Sequence, residues 1–147
     1  MGIIVGLSDK HTVMVDLDNM SFRKVKSLAF LTMEHFNLEG FIILKSSPNN
    51  YHVVFDRPIG RWVEVLRIIS WIGIMSNNSS VWKWVCMQAI KGYATLRVGP
   101  KPVNPDGFKP SPRVVYRYGS QNRMVRDYLV FRRRLTKLVK RLGVYGG

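Results

Sequence analysis

Acidic residues are scarce: nine Asp and Glu stand against 23 Lys and Arg in 147 residues, for a formal net charge of +14. None falls between Glu64 and Asp106, so that stretch offers no carboxylate for acid–base or metal chemistry. Cysteine is nearly absent. With Cys86 alone, an internal disulfide, a cysteine zinc site and an iron–sulfur cluster are excluded, and Cys86 reads as a reduced core residue. Histidine is limited to His11, His35 and His52, with no pair at ligand spacing. Long apolar runs are missing too. Val63 to Met75 is short and broken by Glu64 and Arg67, which predicts no membrane span. No basic stretch followed by an apolar run opens the chain, so no signal peptide is expected and the expected location is cytoplasmic. There is no Gly-rich phosphate loop with its lysine, no internal repeat and no low-complexity segment.

What is abundant is positive charge on a chain with enough apolar content for one core. Such an excess raises the local concentration of polyanions and speeds their capture, which points to nucleic acid as partner. Apolar periodicity supplies the elements. His11 to Leu17 alternates as a half-buried strand, with Val13, Val15 and Leu17 on one face and Met14, Asp16 and Asp18 on the other. Ser21 caps a helix to about Phe36. Phe41 to Lys45 and Tyr51 to Phe55 are strands joined by the turn Ser46-Ser47-Pro48-Asn49-Asn50. Trp62, Val65, Leu66, Ile69 and Ile72 mark a second helix, and Val81 to Ile90 a third. Ala94 to Val98 is a strand, and Gly99 to Pro112, holding five of the seven prolines, a loop. Arg113 to Tyr118 is a short strand. From Asn122 a long helix carries Met124, Tyr128, Phe131, Leu135, Leu138 and Leu142 as its apolar stripe.

The order strand, helix, strand, strand, helix, strand predicts an α+β fold of the split βαβ type, an RRM-like antiparallel sheet with helices on one face. The expected division is residues 1–119 for this domain and 120–147 for a basic amphipathic C-terminal helix, packed on the domain or extending it. In this topology the first and third strands are neighbours, and one sheet face stays open unless something covers it. Asp16 and Asp18, two apart on a strand, project from that face, and His52 on the third strand joins them. Two adjacent acids repel unless a cation, a partner or solvent separates them, and Mg²⁺ takes one or two carboxylates with phosphate oxygens and water. A strand-end Asp also serves simply to open the following helix.

The strand Val13-Met14-Val15-Asp16-Leu17-Asp18 resembles the first motif of the archaeo-eukaryotic primase superfamily, and Lys45 to Phe55, a Ser-rich turn leading to a strand His, is similar to its second. The resemblance runs from about His11 to Lys101. It implies a replication protein that carries out metal-dependent nucleotidyl transfer on a single-stranded or template–primer nucleic acid, from a nucleoside triphosphate. Asp16 and Asp18 would then bind Mg²⁺ or Mn²⁺, and Ser47 and His52 would hold nucleotide phosphate. Arg97 and Lys101 look like basic residues facing substrate. Such compact relatives belong to plasmids and viruses and work beside other replication subunits. The chain departs from the pattern in two places. Asn50 stands where the family has a Ser, and the family's third acid near the fourth strand is missing, with Asp56 and Asp106 as the substitutes on offer.

Other strand-terminal Asp-x-Asp families demand more acids than this chain has, and relaxases need a His-x-His site. The rival reading is a catalytically inactive, primase-like accessory module that binds nucleic acid. Either way, Arg132, Arg133, Arg134, Lys137, Lys140 and Arg141 on the last helix form a dense positive run suited to tracking a phosphate backbone. Trp62, Trp71, Trp82 and Trp84 read as core or interface.

Overall fold

The computed structural model describes residues 4–102 and 108–142. Its elements run β1 (Gly6–Asp9), β2 (Met14–Asp18), α1 (Phe22–Phe36), β3 (Gly40–Ser47), β4 (Asn50–Phe55), α2 (Trp62–Ser76) and α3 (Ser79–Lys91). There follow β5 (Ala94–Arg97), β6 (Lys101–Pro102), β7 (Phe108–Lys109), β8 (Arg113–Gly119) and α4 (Met124–Arg141). The fold is α+β, and the main sheet is antiparallel with strand order β2-β4-β3-β8.

Local chemistry explains most of these boundaries. The Ser21 side chain accepts from the Lys24 amide at 3.3 Å and starts α1, which Asn37 ends in the left-handed region at φ 56°. Asn49, at φ 62°, closes the β3–β4 hairpin. Alternation along the strands then sorts side chains to two faces. Val13, Val15, Leu17, Ile43, Val53 and Phe55 face α1, α2 and α3 in the larger core, around Phe41.

The opposite face does not stay open, because α4 and β5 cover it. Met14, Ile42, Leu44 and Val54 are fully buried there, beneath Val125 and Tyr128 of α4 and beside Leu96 of β5. The physical reason is that this face is itself apolar, and leaving it wet forgoes roughly 1.5–3 kcal/mol per large side chain. The first and third strands are neighbours as expected, Asp16 standing opposite His52. The expected fourth strand, β5, pairs instead with β1, which a four-residue Gly-Leu-Ser-Asp segment gave no alternation to announce. β8 adds to the main sheet beyond β3 and forms its edge, with Arg113, Val115, Arg117 and Tyr118 exposed.

One corner directs the chain back over the sheet. Gly119 sits at φ +71°, and a Cβ there would lie 2.6 Å from the Glu39 carbonyl oxygen. That turn delivers Ser120 to Arg123 around Asp56, whose carboxylate accepts from Ser120 Oγ at 2.7 Å and from the amides of Asn122 (3.1 Å), Arg123 (3.0 Å) and Val125 (3.0 Å). Arg123 itself makes no side-chain cap, so Asp56 caps α4 from the far end of β4. It also sets the rotation of α4 about its axis. Val125, Tyr128 and Val139 are buried, while Phe131, Leu138 and Leu142 of the expected stripe are exposed. Cys86, expected in the core, is exposed on α3.

Candidate active site

The β2 end that carries Asp16 and Asp18 is held by three asparagines. The Asn50 Oδ1 accepts from the Asn19 amide at 3.1 Å, and Asn78 Nδ2 donates to the carbonyls of Asp18 (2.9 Å) and Asn19 (3.2 Å). Asn78 Oδ1 meanwhile caps α3 through the Ser80 amide at 2.9 Å. Asn19 itself adopts φ 57°, conformation that Asn tolerates. Asn50 is thus a clamp between hairpin and strand, which is what the residue in the family's Ser position does here. Ser47 belongs to the same clamp, its Oγ accepting from Asn50 Nδ2 at 2.6 Å.

Within that frame the two carboxylates and the imidazole come together. Burial pushes the Asp16 carboxyl well above the usual carboxylate range. A hydrogen bond with Asp18 and the charge of Asp18 push the same way, while Arg97 and Lys101 pull it down. His52 is pushed down to about 3 by burial, then by the charges of Arg97 and Arg132. It is therefore neutral at ordinary pH. Its Nε2 lies 3.6 Å from Asp16 Oδ1, too far for a hydrogen bond, so the pair is a contact of two neutral groups and not a salt bridge. Asp16 Oδ1 and His52 Nδ1 are both buried without a hydrogen-bond partner. Buried polar atoms in that condition are rare, and each calls for a ligand or a functional cause.

Of the residues read from the strand and hairpin motifs, Asp16, Asp18 and His52 come together, and Arg97 and Lys101, read from the segment after the fourth strand, are near enough for their charge to act on Asp16. Ser47 is engaged at the hairpin tip. His52 is only 3% exposed, on the face that α4 covers, so its imidazole is enclosed and not offered to a phosphate. Arg97 donates to the carbonyls of Gly99 and Pro110, the latter at 3.1 Å, tying the start of the proline-rich segment to its end.

The substitutes for the third acid do not supply it. Asp56 is spent on capping: burial raises its pKa, but the bonds from Ser120 and from the Val125, Arg123 and Asn122 amides more than reverse this and hold it low. Asp106 lies outside the described residues. Among the described residues no group of three or more His, Cys, Asp or Glu side chains is placed to share a metal ion. The donor set fits one hard divalent cation held by Asp16 and Asp18 with phosphate oxygens and water completing its shell, and does not fit two.

On α4 the expected basic run divides. Arg132 donates to the Pro112 carbonyl and stands close enough to depress His52. Arg132, half-buried, and Arg133 and Lys140, both exposed, line a groove against β8, whereas the equally exposed Arg134, Lys137 and Arg141 do not. Tyr128, on the buried face of this helix, has its pKa pushed up to about 12 by burial, against the charge of Arg132, and its hydroxyl has no hydrogen-bond partner.

Sequence reasoning missed the asparagine clamp and the Asp56 cap. The clamp's signal was Asn50 and Asn78, each placed at a break between elements, whereas nothing local announced the Asp56 cap. No helix among the described residues is long and apolar enough to cross a membrane. Comparison with protein-family models, with curated proteins and with solved structures matched none of them.

Proposed function

We propose that the chain is a nucleic-acid-binding replication protein that resembles the primases, with a metal-dependent nucleotidyl-transfer site at the end of β2. The observation that carries this reading is the meeting of Asp16, Asp18, Arg97 and Lys101 around a buried, unpartnered carboxylate oxygen. Asp16 and Asp18 are the residues that would hold Mg²⁺ or Mn²⁺ with a nucleoside triphosphate. The ion, when bound, neutralises phosphate charge as it develops in the transfer. Arg97 and Lys101 supply the remaining positive charge along the triphosphate. His52, enclosed beside Asp16 without a hydrogen bond to it, contributes as packing and not as a phosphate ligand.

A second reading is favoured by two observations. Asp56 is committed to α4, leaving no third acid among the described residues at the site, and His52 is closed off from solvent. Both fit an inactive, primase-like accessory module that keeps nucleic-acid binding and works with other replication subunits. Labelled-nucleotide incorporation on a single-stranded template, with Mg²⁺ or Mn²⁺, separates the two. Incorporation by the wild type and none by Asp16→Ala/Asp18→Ala supports transfer at this site. No incorporation by either, with the template still bound, refutes it in favour of the accessory module.

A further inference from the structure

Seven of the 23 Lys and Arg side chains line two adjoining grooves on the side of the sheet where β8 meets α4. The first groove, of about 530 Å³, is lined by Arg117 of β8 and by Arg132, Arg133 and Lys140 of α4, with the hydroxyl residues Ser111 and Thr136 between them. The second, of about 560 Å³, lies between the β3–β4 hairpin and the segment before β8, and is lined by Lys45, Lys109 and Arg113 with Ser46, Ser47 and Ser111. Ser111 lines both, so the grooves are continuous. Seven cations and no acid line the two together, among the described residues.

Charge of one sign at that density is unfavourable unless a polyanion neutralises it. The floor narrows the choice of polyanion. Half-buried Pro100, Val114 and Leu129 supply an apolar floor in the first groove, while Pro48 and Pro110 stand exposed along the walls of the second. A duplex presents its phosphates outward and hides its bases, leaving such a floor nothing to meet. A single strand offers phosphates to the rims and sugar and base faces to the floor. No aromatic ring lines either groove among the described residues, so stacking is not the means of binding. Grip comes from backbone charge and carries little sequence information.

We infer that these two joined grooves, from the tip of the β3–β4 hairpin to the C-terminal end of α4, are the path of a single-stranded nucleic acid across the protein. The inference rests on the nucleic-acid-binding reading above and adds to it a location, a strand form and a division of the α4 cations. Arg133 and Lys140 hold the strand. Arg134, Lys137 and Arg141, on the same helix and equally charged, do not. Arg97 ties the two features together, since it bonds the Pro110 carbonyl in the groove wall while its charge acts on Asp16. Arg97 is thus the link between the wall of the second groove and the neighbourhood of Asp16, although no carboxylate lines either groove among the described residues.

The test uses the full chain and a labelled oligothymidylate of about 20 nucleotides, followed by fluorescence anisotropy across a salt series. Two double variants remove equal charge from one helix: Arg133→Gln/Lys140→Gln inside the groove and Arg134→Gln/Lys137→Gln outside it. Each lost phosphate contact flattens the slope of log K against log salt by about 0.7 on single strands, so the groove variant should lose about 1.4 and the other close to none. Arg117→Gln on β8 should flatten the slope by about 0.7 as well, which a charged helix acting alone does not require. A duplex of the same length should compete at least 10-fold less well at moderate salt. Equal flattening by the two α4 variants, or a duplex that competes as well as the single strand, overturns the groove while leaving nucleic-acid binding intact. No salt-dependent binding by the wild type overturns the reading beneath it. Circular dichroism of each variant, unchanged from wild type, excludes misfolding as the cause.

Discussion

Replacing Asp56 with Ala tests the central claim about how α4 is held. The wild-type carboxylate accepts four hydrogen bonds, and Asp56 is itself fully buried. The donors are not equivalent. Asn122 and Arg123 are exposed, so their amides recover water when the carboxylate goes. Val125 is fully buried, and its amide would be left unsatisfied, at about 1–3 kcal/mol. Loss of a helix cap adds about 1 kcal/mol. The sum is about 3 kcal/mol, or a fall in Tm of roughly 6–12 °C for a chain of this size. Urea denaturation followed by circular dichroism at neutral pH reads it directly. The pH dependence gives an independent check. The folded pKa of Asp56 lies below its unfolded value, so its stabilisation is complete above the unfolded carboxylate value of about 3.9 and is lost as pH falls through the folded one. The gap between wild type and variant should therefore be constant from pH 8 to about 5 and close only in stronger acid. A loss under about 1 kcal/mol, or a gap that varies across neutral pH, refutes the assignment of Asp56 as the α4 cap.

Further outcomes follow from other sites. Gly119→Ala forces a side chain into φ +71° and against the Glu39 carbonyl, and should lower stability by about 1–3 kcal/mol in the same urea assay. Phe41→Ala empties the centre of the larger core and should lose about 3–5 kcal/mol, a loss under 1 being inconsistent with its full burial. Mg²⁺ should raise the Tm of the wild type, and Asp16→Asn/Asp18→Asn should abolish that rise while leaving the metal-free protein folded; an equal rise in both moves the ion elsewhere. Cys86 should react with a thiol reagent in the native state nearly as fast as in urea, and protection of 100-fold or more would contradict its exposure on α3.

The parts of the fold legible in the sequence are those fixed by local rules. Alternation in Val13 to Leu17 and Tyr51 to Phe55 set the inner face, and Ser21 and Asn49 marked a helix start and a turn. The carboxylate pair and His52 were readable for the same reason, because a period of two puts them on one face. What could not be read depends on partners far apart in the chain. β1 pairs with β5 across 85 or more residues, and nothing in Gly-Leu-Ser-Asp anticipates it. Asp56 grips amides 66 to 69 positions away, and that grip rotates α4 so that Val125 goes in and Phe131 stays out. A helical wheel alone cannot choose between two adjacent apolar faces. The burial of His52 has the same origin, since α4 is what covers its face.

The position of β8 at the sheet edge ties solubility to ligand binding. An unpaired edge with exposed Val115 and Tyr118 invites a second chain to add its own strand, and Arg113 and Arg117 on that strand oppose it by repulsion. Those two arginines also line the basic grooves. A polyanion bound there neutralises the repulsion that keeps copies apart. Saturating the protein with short oligonucleotides should therefore favour assembly along β8, while the free protein stays dispersed at low salt. Charge-removing variants inherit the same exposure without any ligand, so their loss of binding and their tendency to aggregate have one electrostatic source.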